Sequence, residues 1–361
     1  MADLSNITSE FGVCVSQENI VPLGSGLIND TYKVTTPAGE PDYVLQRINH
    51  KIFNDVEMLQ NNIDNVTAHI RSKLSEAGEK DIDRKSLRFL KSKSNGKSYV
   101  KSGDEYWRMM FFIPDSFTNE VVDERSAELT GIAFGEFQTM LSDIRESIGE
   151  TIPDFHNMEF RLKQFEDSIN ADSAGRLKLK DVNNLVDELL LRSEKMTTAE
   201  RLYREGKLPK RICHCDTKVN NILFDEEGEI LCVIDLDTVM PSFVFSDFGD
   251  FLRSAANTGE EDAKNLDSVN FNMNIFRAFA RGYVSAASFL TPLEKEMLPY
   301  AALLFPYMQA VRFLTDYLNG DTYYKTAYPD HNLVRAKAQF KLLQSAESCE
   351  RAMREYISSL N

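Results

Sequence analysis

The chain has 361 residues, of which 42% are hydrophobic and 27% charged, with a net charge of −15 at neutral pH. This is the composition of a soluble globular protein large enough for a substantial core, and its negative balance argues against nucleic acid or an anionic membrane surface as a partner. Five scattered cysteines, an N-terminus without a cationic start and the lack of any apolar run of membrane-spanning length point to a reduced, cytoplasmic protein.

The first signal in chain order is Ile20-Val21-Pro22-Leu23 followed by Gly24-Ser25-Gly26-Leu27-Ile28-Asn29-Asp30-Thr31. Strand, flexible turn and returning strand can fold backbone N–H groups over phosphates. Gly24, Ser25, Gly26, Asn29 and Thr31 are the candidate contacts, although Asn29 stands where a third glycine would complete G-x-G-x-x-G. No Walker sequence is present.

Tyr43 to Arg47 reads as a strand on which alternation places Leu45 and Arg47 on one face. The Arg47 fork is suited to phosphate oxygens. Asn54 is the expected cap of a helix reaching about Ser75, with Val56, Leu59, Ile63, Val66, Ile70 and Leu74 on its apolar stripe. Tyr106 to Ile113 reads as a buried strand stopped by Pro114. Helical patterns follow from Val121 to about Ile144 and from Asp181 to about Arg204, with Pro153, Asp154 and Asn157 marking the connection.

Arg211 to Asp235 carries the chemistry. An apolar run leads into His214-Cys215-Asp216, then Asn221 opens Ile222-Leu223-Phe224, and Glu226-Glu227-Gly228 turns the chain back through Ile230 to Ile234 onto Asp235. A carboxylate to orient a hydroxyl, plus an amide and a second carboxylate to hold Mg²⁺, is what phosphoryl transfer requires. Asp216 is the candidate base, and Asn221 and Asp235 are the candidate metal ligands. His214 is expected to pack rather than carry a proton, and Asp237 either shares the metal or braces the turn. No second C-x-x-C pair accompanies Cys213 and Cys215, which argues against a zinc site. A literal D-F-G at Asp247 leads into a helix start, so Asp247 is expected to cap or brace.

The tail from Asn270 reads as three helical stretches, separated by Pro292 and by Asn319-Gly320-Asp321. Arg312, Asp316 and Tyr324 combine the guanidinium, carboxylate and aromatic groups that bind sugars. Residues 1–115 are thus β-rich around one long helix, and 116–361 mostly helical: an α+β fold with an N-terminal nucleotide domain and a C-terminal domain carrying the catalytic loop and acceptor helices.

The segment H-C-D-T-K-V-N-N with its hairpin resembles the aminoglycoside phosphotransferase and choline kinase superfamily. G-S-G-L-I-N-D-T-Y-K-V, Y-V-L-Q-R-I-N, V-I-D-L-D-T-V-M-P, D-F-G-D and R-F-L-T-D-Y-L-N-G-D are similar to its N-acetylhexosamine 1-kinase branch. The resemblance spans most of the chain. It implies a protein-kinase-like two-lobed fold, ATP and Mg²⁺ as cofactors, and transfer to the anomeric hydroxyl of N-acetylglucosamine or N-acetylgalactosamine. It also places Arg47 at the position of the kinase strand-three lysine, Glu57 as its helical partner, and the backbone at Phe111 and Phe112 at the adenine. The implied partner is a small sugar, with no nucleic acid or membrane, for a monomer or weak dimer. Choline, an aminoglycoside or homoserine are alternative acceptors, and a non-catalytic nucleotide- or sugar-binding module is the alternative of another class. Cys215 in place of the H-R-D arginine and the missing A-P-E element argue against a protein kinase.

Overall fold

A computed structural model describes residues 3–24 and 28–360. The chain divides into two compact units. The first comprises Met1–Thr118, Met140–Pro153 and Ile222–Met240; the second comprises Asn119–Thr139, Asp154–Asn221 and Pro241–Asn361.

The first unit contains α1 (Leu4–Glu10), β1 (Ile20–Pro22), β2 (Asp30–Val34), β3 (Tyr43–Ile48), α2 (Val56–Glu76), α3 (Ile82–Lys85), β4 (Tyr99–Ser102), β5 (Glu105–Phe111) and β6 (Phe117–Thr118). Strands β1 to β5 form one antiparallel sheet in the order β1-β2-β3-β5-β4. Val34, Leu45, Trp107 and Met109 on one face pack with Leu4, Ile7 and Phe11 at the N-terminus. Because side chains alternate, the paired residues Gln46 and Arg108 lie on the opposite face. Helix α2 is capped by Asp55, whose side chain accepts the Met58 N–H, one residue beyond the expected Asn54. Of its apolar stripe, Val56, Leu59, Ile63, Val66 and Ile70 are buried as the periodicity requires, and Leu74 near the helix end is only half-buried.

Strand β7 (Arg211–Cys213) lies in the second unit, whereas β8 (Ile222–Phe224) and β9 (Ile230–Val233) belong to the first. The β8–β9 hairpin has Ile222 opposite Val233, and β6 pairs with β8 to complete a three-stranded sheet. Gly228 supplies the turn with φ +81°, a conformation that costs glycine little.

The second unit carries α4 (Glu124–Leu141), α5 (Met158–Ala171), α6 (Lys180–Met196), α7 (Thr198–Arg204), α8 (Phe245–Ala255), α9 (Met273–Ala286), α10 (Pro292–Glu296), α11 (Leu298–Leu318) and α12 (His331–Ser359). The single helix expected over 181–204 is broken at Thr197, whose hydroxyl bonds back to the carbonyls of Ser193 and Glu194 and bends the chain. Helix α10 opens with a capping box between Thr291 and Glu294 and with Pro292 in its first turn. Helix α11 is buried along nearly its whole length, as a central core helix should be. Among the described residues no helix is long and apolar enough to cross a membrane.

Helices α4 and α9 approach through glycines. A Cβ on Gly282 would lie 2.1 Å from the Glu128 carbonyl oxygen, and one on Gly131 would lie 2.3 Å from that of Phe279. Backbone cannot yield as a side-chain tip can, so Gly282→Ala is expected to destabilise by about 1–3 kcal/mol despite alanine's better helix propensity. Scanning calorimetry should show a lower Tm; an unchanged or higher value would contradict this crossing.

Candidate active site

The loop of the second unit that carries Asp216 is suspended from α8. Asp247 is fully buried and accepts the backbone N–H groups of His214 (2.9 Å) and Cys215 (2.7 Å), together with the Gln138 amide (2.8 Å). On the other side of Asp216, Thr217 donates its hydroxyl to the Asp247 carbonyl (2.7 Å) and its N–H to the Asp250 carboxylate (3.1 Å). Asp216 is therefore held by anchored residues on both sides. The D-F-G aspartate is a brace, as its place at a helix start suggests. Burial pushes the Asp247 carboxyl up to about 6, against the lowering influence of His214 and of the N–H donors. Burial also raises Asp250, where the Arg253 charge opposes the shift and the Asp216 charge adds to it.

Asp216 lies 2.7 Å from the Lys218 ammonium. Burial works against the charge on Lys218, but the Asp216 carboxylate more than offsets this and raises its pKa. The Asn221 amide nitrogen donates to the Asp216 carbonyl at 2.8 Å and approaches its carboxylate at 3.5 Å. His214 is wholly buried and meets the edges or faces of Phe134 and Phe137 at 5.3 and 5.9 Å, which makes it a packed residue. Cys215 adopts a left-handed backbone with φ +63°, an uncommon state for a residue with a Cβ. Beside the loop, a cavity of about 300 Å³ is lined by Lys218, Val219, Asn220, Phe251 and Ser254.

In the first unit, Asp235 follows β9 with φ +59° and opens a short 3₁₀ turn over Leu236–Thr238. Asp237 in that turn is braced: one carboxylate oxygen lies 2.5 Å from Arg108 and the other accepts the Asn29 amide at 2.6 Å. The donor chemistry fits Mg²⁺. Each unit by itself offers one hard oxygen donor, the Asn221 side-chain amide in the second and the Asp235 carboxylate in the first. Mg²⁺ takes a few such hard oxygens and draws the rest from phosphate and water. Among the described residues no three His, Cys, Asp or Glu side chains form a cage complete in itself.

The nucleotide-side expectations are redistributed. Gly24 has φ +72°, as a tight turn requires, while Ser25 and Gly26 lie outside the described residues. Asn29 uses both ends of its amide internally, since its oxygen accepts the Asn49 N–H at 2.9 Å. The Thr31 hydroxyl accepts from Gln46. Arg47 and Glu57 do not form the expected pair. Arg47 lies on the face of Leu45 and bonds Asp30 (2.7 Å) and Glu105 (3.0 Å), whereas Glu57 pairs with Lys97 at 2.5 Å. Strand parity is the physical reason: the side chain that faces the Asp237 turn from β3 is Gln46, and the cation there is Arg108 from β5. The N–H groups of Phe111 and Phe112 donate to the carbonyls of Arg88 and Asp42, so neither is a spare donor for a base.

In the second unit Arg312 stands over the rings of Phe155 (5.6 Å) and Tyr324 (5.7 Å) and bonds Gln309, which in turn donates to the Tyr324 hydroxyl. Arg161 joins them, hydrogen-bonded to the Phe155 carbonyl; burial and the Arg312 charge hold its pKa down to about 10. His156 stacks on Phe155 at 4.3 Å, and burial followed by the charges of Arg312, Arg161 and Arg253 lowers its pKa. Asp316 sits behind this cluster. It accepts the N–H groups of Thr322, Tyr323 and Tyr324 and the Asn332 amide, so it shapes the loop that presents Tyr324 and has few lone pairs left for a ligand. Asp316→Ala would leave three N–H groups unsatisfied, and the expected cost is several kcal/mol. Acceptor KM should rise as Tyr324 loses its support; a normal KM together with a normal Tm would refute the brace.

Asp250, Lys218, Arg161, His156 and Arg108 escaped the sequence reading. Lys218 alone had a local signal, two residues beyond Asp216.

A sequence model of the phosphotransferase enzyme family matches residues 19–287. Among solved structures, an aminoglycoside phosphotransferase from Alicyclobacillus acidocaldarius aligns with a TM-score of 0.61 at 15% identity, covering 95% of this chain and 94% of that one. A choline kinase from Cryptosporidium parvum gives 0.56 at 11% identity, with 96% and 95% covered. A spectinomycin phosphotransferase solved with ADP and spectinomycin gives 0.53 at 13%, with 93% and 96% covered. These likenesses show a shared protein-kinase-like α+β fold, with a β-sheet N-terminal region and a helical C-terminal region.

Proposed function

The chain belongs to the phosphotransferase enzyme family, and from that premise we propose that it transfers the γ-phosphoryl group of ATP to the anomeric hydroxyl of an N-acetylhexosamine. The observation that carries the choice of acceptor is the cluster of Arg161, Arg312, Gln309 and Tyr324 among aromatic rings. Guanidinium, amide and phenol groups over aromatic faces suit a neutral sugar. Their charge repels a cationic acceptor. Arg253 connects this cluster to the catalytic loop: its charge bears on His156, and it pairs with Asp250, which holds the residue next to Asp216.

In the proposed reaction Asp216 accepts a hydrogen bond from the sugar hydroxyl and takes its proton as the phosphoryl group moves. Lys218 fixes the carboxylate orientation and supplies positive charge beside it. Asn221 and Asp235 would hold Mg²⁺, which when bound offsets the negative charge of the phosphates. ADP in the spectinomycin phosphotransferase structure supports ATP as donor.

A second reading has a specific basis. The fold neighbours include choline and aminoglycoside kinases, and a net charge of −15 favours cations at long range. The arginine cluster opposes it at short range, where unscreened charge matters more. Incubation with ATP and a panel of sugars, choline and aminoglycosides, read by ³¹P NMR, tests the choice. An anomeric phosphate on an N-acetylhexosamine is expected; turnover of choline or an aminoglycoside alone would overturn the acceptor assignment, and no ATP consumption with any acceptor would favour a binding module.

A further inference from the structure

The clearest unexplained feature of the first unit is a buried ion pair. Arg108 and Asp237 have side chains only 2% and 4% exposed and lie 2.5 Å apart. Burying two charges is costly, and an apolar pair of similar volume often does as well or better for stability. The pair therefore calls for a reason other than stability.

Its connections supply one. Asp237 stands two residues beyond Asp235, in the turn that Asp235 opens. Arg108 is held in turn by Gln46 (2.9 Å), and Gln46 bonds the Thr31 hydroxyl (3.1 Å). The second oxygen of Asp237 is taken by Asn29, whose own oxygen accepts the Asn49 N–H, while the Asn49 amide donates to the Ile28 carbonyl at 3.2 Å. Asn29, just before β2, and Arg108 of β5 are thus bonded directly to the turn after Asp235, while Gln46 of β3 and Thr31 of β2 reach it through Arg108. A side chain held in left-handed backbone needs its surroundings to keep it there, and this network grips the turn that Asp235 opens.

We propose that Arg108 is a positioning residue which, by clamping Asp237 against Asn29, couples the nucleotide loop to the metal-bearing turn. The inference rests on the assignment of Asp235 as a metal ligand. Nucleotide held beside Asn29 steadies Asp237 and with it Asp235. Metal on Asp235 steadies the loop by the same amount, since linkage is reciprocal. Arg108 acts through Asp237 and touches neither ligand.

The test is calorimetric titration of the full chain with ADP across a range of Mg²⁺ concentrations, which needs no turnover. Asn29→Ala removes only the loop arm and is expected to reduce the Mg²⁺-dependent gain in ADP affinity at least about fivefold, with metal-free ADP affinity changed less than about twofold. The double variant Arg108→Met with Asp237→Leu replaces the ion pair by apolar groups; it should melt near the wild-type Tm yet lose the gain. Arg108→Lys should keep part of it. A folded double variant with the full gain, or Asn29→Ala with the full gain should the double variant fail to fold, overturns the clamp. Asp235→Asn is run alongside. If it loses the gain while the other variants keep it, the clamp alone is wrong; if it also keeps the gain, the metal assignment fails with it.

Discussion

Asp216→Asn lowers kcat by at least about 100-fold and leaves the KM for ATP nearly unchanged. The substitution is isosteric, so the frame around it should persist. The N–H groups of His214 and Cys215 remain on Asp247, and Thr217 remains on Asp250 and the Asp247 carbonyl. What is lost is the group that orients and accepts the hydroxyl proton, together with the charge opposite Lys218. An uncompensated Lys218 attracts phosphate more strongly, which is why ATP binding should not weaken. Steady-state kinetics with an N-acetylhexosamine would show the split between kcat and KM. Near-wild-type turnover would remove Asp216 from the chemistry, and a large rise in the KM for ATP would make it a nucleotide ligand instead.

Asp235→Asn should weaken Mg²⁺-dependent nucleotide binding by more than the roughly 10–100-fold that disturbing a metal ligand's supporting shell costs. Asparagine is the informative replacement here. It tolerates the left-handed backbone at this position almost as aspartate does, so the variant removes charge without adding strain. Alanine would confound the two. Equilibrium titration of Mg²⁺ in the presence of ADP measures the effect. An unaltered titration would assign the metal to other residues and leave Asp235 a turn former.

Legibility in the sequence followed the range of the interaction concerned. The proximity of Asp216 and Asn221 could be read because they lie five positions apart on one loop, and the hairpin to Asp235 could be read because Gly228 ends one apolar run before the next begins. Alternation on β3 correctly separated Leu45 and Arg47 from Gln46, but parity alone does not say which face meets the Asp237 turn. The packing of the N-terminal residues Leu4, Ile7 and Phe11 on the Leu45 face decides that, and it depends on contacts more than thirty residues apart in the chain. Arg108 was read as part of a buried strand. Its charge acquires meaning only through Asp237, on a distant segment with no periodic relation to β5. In the sequence Asp316 reads as a ligand because a carboxylate near tyrosines fits sugar binding; the structure shows it accepting the backbone N–H groups of the loop that carries them. Composition cannot distinguish a residue that contacts a ligand from one that holds the contacting residue.

The left-handed backbone at Cys215 and Asp235 (φ +63° and +59°) sets selection for robustness against selection for chemistry. Glycine adopts that conformation freely, so a screen scoring melting temperature alone would enrich glycine at the exposed position 235, while at 215 the loss of a buried side chain opposes the gain. At 215 the exchange removes a buried thiol and leaves the neighbouring carboxylate in place, whereas at 235 it deletes the carboxylate itself. Heat-tolerant libraries of this protein should therefore accumulate inactive members through position 235, and a thermostabilisation campaign would need to hold that codon fixed while leaving 215 open.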